Sequence, residues 1–327
     1  MSRINQEQIK KTAEFLKQLP KGESGLNFYS YKGKDGVENI FTDMYPSLNH
    51  KDAINFFFFA CLHQHGFWYG DEKGYVKPLT GSTSGKVEKG SDLLWKIFMK
   101  AFVSSPSLFE PKNLAEIEPE ELFTKFFAGD YGTIPFPDLE ERFKMTRAYG
   151  RWFVKYKKSP EEIVMTSNST KTPLLSFLEK IYFVHGFGKD SLQKKCLLLA
   201  MCLANRPEKF LIVKDSRNWL PIIDYHVMRF ALRMGLIELN EEDQNANADR
   251  LWVNKETEGE IRSNTFVVCN KLIAKSGHTM PFIDEKMWLA RKYCPEMETP
   301  NCEKCLFELV CKKQIDLFQP VYRTTSY

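Results

Sequence analysis

A mainly α-helical fold is what this 327-residue sequence predicts, and three observations predict it. Apolar residues recur at helical spacing along most of the chain. Prolines stand just ahead of several of those periods, where helices start. Only one stretch, residues 70–92, reads as turns or a small hairpin, from its glycines and charges.

In chain order, the first 50 residues open with an amphipathic helix carrying Ile9, Thr12, Phe15 and Leu16, and continue into a Gly/Lys/Asp-rich connection. The run NFFFFACLHQHGFWYGD follows at 55–71, and its four consecutive phenylalanines mean burial on all sides, or burial plus exposure into a cavity. From Ser91 the pattern is helical, with Leu93, Leu94, Ile97, Phe98 and Phe102 on one face. Leu139, Phe143, Gly150, Phe153 and Tyr156 suit a helix announced by Pro135 and Pro137, and Pro173 announces the next, LLSFLEKIYF. Residues 192–204 read as a buried helix ended by Asn205-Arg206-Pro207. A helix follows Pro221, another runs from Glu258 through Leu272, and a last one leads from Asp284 into a cysteine-rich segment.

With 43% hydrophobic residues the chain has ample material for a large core, as two lobes or one large domain. The N-terminus is polar from the start, and the longest apolar patch, Ile54 to Leu62, is too short to cross a bilayer. The expectation is a soluble, cytoplasmic protein with no membrane partner. Lys+Arg number 46 against 42 Asp+Glu, a net charge of +4, and residues 238–260 carry eight acids against two bases. Neither a strong basic excess nor a basic stripe is evident in the linear sequence, which favours a small or short substrate over a long duplex.

Four of the eight cysteines, Cys61, Cys196, Cys202 and Cys269, lie in apolar surroundings, where a free thiol acts as a small hydrophobe. The other four, Cys294, Cys302, Cys305 and Cys311, crowd into CPEMETPNCEKCLFELVC with the spacing C-x7-C-x2-C-x5-C. Such crowding points to metal before disulfide, and four cysteines suit a [4Fe–4S] cluster, with zinc as the alternative.

The segment resembles the C-x6-C-x2-C-x5-C loop that holds [4Fe–4S] in endonuclease III and its adenine-glycosylase relatives, with one extra residue in the first gap. That superfamily sets its active-site aspartate at the start of a helix, in a phrase similar to Ile223-Asp224-Tyr225-His226-Val227-Met228-Arg229 here. The resemblance implies Asp224 as the catalytic carboxylate, stabilising positive charge on the sugar or activating water. The plain alternative is that Asp224 only caps the helix. At Val184-His185-Gly186-Phe187-Gly188-Lys189-Asp190, the counterpart of the helix-hairpin-helix turn, Asp190 stands where those enzymes carry a Schiff-base lysine. The comparison therefore argues against lyase activity.

Residues 50–292 also resemble the queuosine salvage family, N-glycosylases that release queuine from queuosine 5′-monophosphate on a fold like that of DNA glycosylases. Asn55-Phe56 to Trp68 is similar to its N-F-x-F-W segment, and residues 111–142 to its passage ending in I-P-L-x-x-E-R. Gln193-Lys194-Lys195-Cys196 is similar to Y-K-(K/R)-A-Q, and Ile223-Asp224-Tyr225-His226-Val227 to A-D-Y-R-V. Glu260-Ile261-Arg262 matches E-I-R, and Ile283-Asp284-x-x-Met287-Trp288 is similar to I-D-x-x-L-W.

These resemblances imply a two-lobed, helix-hairpin-helix, DNA-glycosylase-like fold with a C-terminal four-cysteine cluster loop. Residues 1–50 would be an N-terminal helix and connection, 51–285 the catalytic domain, and 286–327 the helix and cluster loop. The implied activity is hydrolysis of an N-glycosidic bond, releasing a queuine-like 7-deazaguanine base from a modified nucleoside or nucleotide. The residues expected at the substrate are Asn55, Phe58, Trp68, Lys195, Tyr225 and Arg229 around Asp224. Phe67, Tyr69, His63, His65 and Lys194 are further candidates. A DNA base-excision glycosylase and a non-catalytic nucleic-acid or metabolite-binding module are the alternatives, so nucleic acid is the second partner class after a small molecule.

Overall fold

Helix starts in this chain are fixed by side-chain caps and by proline. Asn5 accepts the backbone N–H of Gln8 at 2.9 Å, Ser159 that of Glu162 at 3.1 Å and Asn254 that of Thr257 at 2.7 Å. Prolines sit in the first turn of five more or less short helices, where their missing N–H costs nothing. The computed structural model describes residues 2–22, 26–32 and 37–327. Among them the helices are α1 (Gln6–Lys17), α2 (Ala53–Leu62), α3 (Gly90–Ser104), α4 (Pro111–Glu116), α5 (Pro119–Phe126), α6 (Leu139–Tyr156), α7 (Pro160–Asn168), α8 (Pro173–Tyr182), α9 (Lys194–Asn205), α10 (Tyr225–Arg233), α11 (Glu241–Ala248), α12 (Lys255–Ser276) and α13 (Met280–Leu289). The fold is mainly helical, as the periodicity predicts.

The strands are short and pair only as antiparallel two-stranded ladders. These are β1 (Arg3–Ile4) with β8 (Ile237–Glu238), β2 (Ser30–Lys32) with β3 (Glu38–Ile40), β4 (Trp68–Gly70) with β5 (Tyr75–Pro78), and β6 (Thr80–Thr83) with β7 (Lys86–Lys89). The last two pairs realise the hairpin expected within 70–92. The helices α4, α5, α7 and α11 were not singled out by periodicity, because none exceeds nine residues and so few turns show a face. α13 begins ahead of Asp284, with Pro281 in its first turn. No described helix is long and apolar enough to cross a membrane.

α2 is the hub of the packing. Phe56, Phe57, Phe58 and Phe59 are all fully buried, so the helix has no solvent face, and each ring contributes about 1.5–3 kcal/mol of burial energy. The buried side chains form one continuous core running from Ile9 to Tyr327, with a small satellite of Trp68, Tyr75, Phe318 and Val321. The N-terminal segment belongs to that core: α1 packs on α12 and β1 pairs with β8.

α6 and α4 approach backbone to backbone at Gly150, where an added Cβ would lie 2.4 Å from the Ala115 nitrogen and 2.6 Å from the Pro111 oxygen. Backbone on both sides leaves no flexible group to yield. Gly150→Ala is expected to destabilise the protein by about 1–3 kcal/mol, read as a lower urea midpoint at unchanged slope. An unchanged midpoint would show that α4 shifts freely.

Candidate active site

The largest cavity, about 870 Å³, opens where the N-terminal ends of α9 and α10 meet α13. Residues 26–32 and 37–45, read from sequence as a connection, close one side with Phe28, Phe41 and Tyr45. They are held there from the far end of α9. Asn205 Nδ2 donates to the Leu26 carbonyl at 2.9 Å, and the fully buried Arg206 donates to the carbonyls of Phe28 at 2.8 Å and Pro46 at 3.1 Å. Phe67, Trp95 and Trp288 add aromatic surface. The volume and lining suit a small ligand with a flat ring system.

The polar end of the cavity is set by Asp190 and Arg262. Asp190 accepts two hydrogen bonds from Arg262, at 2.7 and 2.8 Å, and also the backbone N–H groups of Leu192 at 3.1 Å and Lys194 at 2.8 Å. Burial opposes its charge, but Arg262 and those N–H donors outweigh it and hold the carboxyl below the usual range. Arg262 also reaches the Ile223 carbonyl at 3.3 Å, one residue before Asp224, and lies 4.5 Å from the centre of the Tyr327 ring on the cavity wall. One ion pair thus ties the start of α9 to the start of α10.

Asp224 is both a cap and a cavity residue. Its Oδ1 accepts the N–H groups of His226 at 2.9 Å and Val227 at 3.0 Å, while the residue lines the cavity. Capping α10 and lining the cavity thus fall to one side chain. Asp284 of α13 lines the same wall, and burial followed by the nearby Asp224 charge pushes its carboxyl well up, which favours the protonated form. Lys194 completes the cluster. Its Nζ donates to the Gln64 carbonyl at 2.9 Å, burial pulls the ammonium down, and the Asp224 charge is the largest influence opposing that. Two carboxyls in different surroundings beside one cation form an arrangement suited to acid–base chemistry.

A second polar group lies across the cavity. The buried Glu296 carboxylate accepts from Lys89 at 2.6 Å and faces Arg229 at 3.7 Å and His226 at 3.7 Å. Burial, then the Arg229 charge, lowers the His226 pKa well below normal, so the ring is neutral. Arg229 donates to its Nδ1 at 2.9 Å, which leaves the proton on Nε2.

Of the residues expected at the substrate, Asp224, Tyr225 and Arg229 line this cavity together with Phe67 and Lys194. Asn55, Phe58, Trp68 and Lys195 are not among its lining residues. Phe58 packs against Phe153, Phe177 and Phe187 in the core. Trp68 lies between Tyr75 and Trp252. Lys195, one residue round the helix from Lys194, points to Met145 Sδ at 3.5 Å and the Gly186 carbonyl at 3.4 Å. Tyr69 donates to the Pro135 carbonyl. His63 and His65 are buried, their carbonyls bound by Arg142 at 2.9 and 2.7 Å, and this clamp sets the turn that presents Gln64 to Lys194. Asp284 and Glu296 were missed as site residues. Asp284 was visible in the I-D-x-x-M-W phrase, whereas Glu296 was hidden inside the cysteine segment.

Cys294, Cys302, Cys305 and Cys311 line one small cavity with Phe230, Met234 and Ile315 of the surrounding walls. Arg233, at the end of α10, donates to Cys294 Sγ at 3.2 Å, and the Lys313 N–H donates to Cys311 Sγ at 3.2 Å. Among the described residues no group of three or more His, Cys, Asp or Glu side chains is arranged to hold a single metal ion. Cys61, Cys196, Cys202 and Cys269 are buried and unpaired.

No protein-family model matches the chain, and no curated protein matches its sequence. Among solved structures it is similar to 8-oxoguanine DNA glycosylase from Pyrobaculum aerophilum in complex with 8-oxoguanosine, at 14% identity over 94% of this chain and 96% of that one, with a TM-score of 0.47.

Because the Asp190 carboxyl is held below its unfolded value, the stability it contributes is present above about pH 3.9 and is lost as pH falls through the lowered folded value. Asp190→Asn leaves Arg262 buried without its counter-charge, and is expected to cost about 3–5 kcal/mol at pH 7. Thermal melts of the two proteins should converge as the pH is taken below about 3.9. A constant gap would mean that the ion pair is not the source.

Proposed function

We propose that this protein is an N-glycoside hydrolase that releases a flat heterocyclic base from a nucleoside or nucleotide. A queuine-like 7-deazaguanine is the base class that the sequence resemblance favours. The observation that carries the reading is the pair of carboxyls at one end of an aromatic cavity, Asp284 pushed towards its protonated form beside Asp224 at the start of α10.

The chemistry follows from those two states. As the C–N bond breaks, its electron pair leaves with the base, and Asp284 delivers a proton to it. The Asp224 carboxylate stabilises the oxocarbenium-like sugar and then takes a proton from the water whose oxygen bonds to the anomeric carbon. The aromatic wall holds the base face, and Lys194 and Arg229 supply positive charge for a phosphate. A base bound between these walls would displace water from the cavity, which strengthens the interactions of each charge there.

Queuosine 5′-monophosphate hydrolysis, followed as free base, tests this. Asp224→Asn should lower kcat about 100-fold or more. With Asp284 as the acid, the rate should fall as pH rises through its raised pKa, and Asp284→Asn should lose about 100-fold or more together with that alkaline limb. An Asp284→Asn enzyme keeping the limb would remove the acid role, and an Asp224→Asn enzyme as fast as wild type would sink the hydrolase reading.

The four cysteines support a structural [4Fe–4S] cluster as part of the same proposal. They share one cavity with apolar walls, and N–H donors from Arg233 and Lys313 point at two of the sulfurs, as suits thiolates that carry negative charge. Four thiolates would leave no open coordination position, so the group's contribution is to hold the C-terminal segment in place. Anaerobically purified protein should be brown and contain about four iron atoms per chain. Colourless protein with one zinc per chain would overturn the assignment.

A further inference from the structure

The outer face of α6 carries a stripe of cations that the neutral balance of the whole chain conceals. Lys144, Arg147, Arg151 and Lys155 follow at intervals of three, four and four residues, which stacks them on one side of the helix. They span about 16 Å along its axis. The opposite side, with Tyr149, Gly150 and Phe153, is buried.

Aromatic rings stand among the charges. Phe143, Trp152 and Tyr156 come from α6, and the turn after α8 adds Phe183 and His185, so that charges and rings together line a surface groove of about 620 Å³. Phe183 is 73% exposed and Tyr156 51%, and neither ring is needed for the core. The ring centres of Trp152 and Tyr156 lie 4.9 Å apart, and Lys155 Nζ sits 5.3 Å from the Tyr156 ring centre.

Counter-charges are few. Glu140 meets Lys144 at 3.5 Å and Glu118 meets Arg147 at 3.8 Å, and both acids are well exposed, where such pairs are worth little. Among the described residues no carboxylate lies within ion-pair distance of Arg151 or Lys155. Arg147 also donates to the Ala115 carbonyl at 3.3 Å, which leaves Arg151 and Lys155 as the cations without an ion pair. Such a row, interleaved with exposed rings, is chemically matched to a strand that offers a phosphate and a π-face at every step.

We propose that this groove binds single-stranded nucleic acid, with phosphates on the α6 cations and bases stacked on Tyr156 and Phe183. An acidic membrane would use the cations but has no aromatic faces to stack, so the rings favour the nucleic acid. The chain that brings Phe183 and His185 into the groove runs on to Lys194 in the large cavity. The proposal does not depend on the hydrolase reading, because none of the groove residues lines that cavity.

The test is fluorescence anisotropy of labelled 15-nucleotide oligo-dT and oligo-U with the full chain across a salt series. Saturable binding of either is expected, with log K falling against log salt at a slope of about −3 if all four cations meet phosphates at about −0.7 each. Arg151→Glu/Lys155→Glu should weaken binding at least tenfold. Tyr156→Ala and Phe183→Ala should each weaken it about fivefold or more, while hydrolysis of a mononucleotide stays unchanged. The ratio of oligo-U to oligo-dT affinity reports whether the 2′-hydroxyl is read, and either strand supports the proposal. No saturable binding of either strand would overturn it. So would heparin binding as tightly with the ring variants unaffected, or binding confined to phosphatidylserine vesicles.

Discussion

The candidate site depends on one buried ion pair. Asp190 and Arg262 are sixty or more residues apart in sequence (72 positions), and they join three elements that otherwise have no reason to share a register. Asp190 fixes the first turn of α9, and with it the Lys194 ammonium. Arg262, from the middle of α12, holds the Ile223 carbonyl and so the entry to α10 at Asp224. Removing two charges from water is costly, and such a pair returns little net stability over an apolar substitute. What it gives here is geometry: a cation and a carboxylate brought to the same end of one cavity.

α10 then carries that geometry across the molecule. Its nine residues begin at the Asp224 cap, present Tyr225, His226 and Arg229 to the cavity, and end at Arg233, which bonds Cys294 Sγ and the Pro295 carbonyl at 2.8 Å. Two residues beyond Cys294 the chain returns Glu296 to the same cavity, against His226 and Arg229. The cysteine segment and the cavity are therefore not separate features of the chain. Whatever orders the cysteine loop also positions a buried carboxylate in the candidate site.

Much of this was legible in the sequence, and the limits have physical causes. Long helices announced themselves through period and punctuation, and Asp224 through its place ahead of one. Four Phe in a row signalled total burial correctly, yet the same logic offered Phe58 and Trp68 as a base slot, and both went to packing. Composition reveals that a ring will be buried but not whether a core or a cavity will bury it. Lys194 and Lys195 differ by 100° of helix rotation, and only the capping of α9 by Asp190 decides that Lys194 faces the cavity. The walls from residues 26–32 and 37–45 had no periodic signal at all, because carbonyl contacts from Asn205 and Arg206 place them.

Net charge misleads for a related reason. A value of +4 spread over 327 residues suggests a surface without preference, and the acids of 238–260 reinforce that impression. A ligand, however, responds to charge within a Debye length of about 8–10 Å, not to the sum over the chain. Along RFKMTRAYGRWFVKYKK the cations are separated by apolar residues, so no run of like charge appears. Helical geometry removes the separation by sending Tyr149, Gly150 and Phe153 inward and the cations outward. The same 3.6-residue period that marks α6 as core-forming thus assembles its outer face. Every helix with one buried side has a second side whose chemistry is equally periodic, and on α6 that second side is the larger unexplained feature of the molecule.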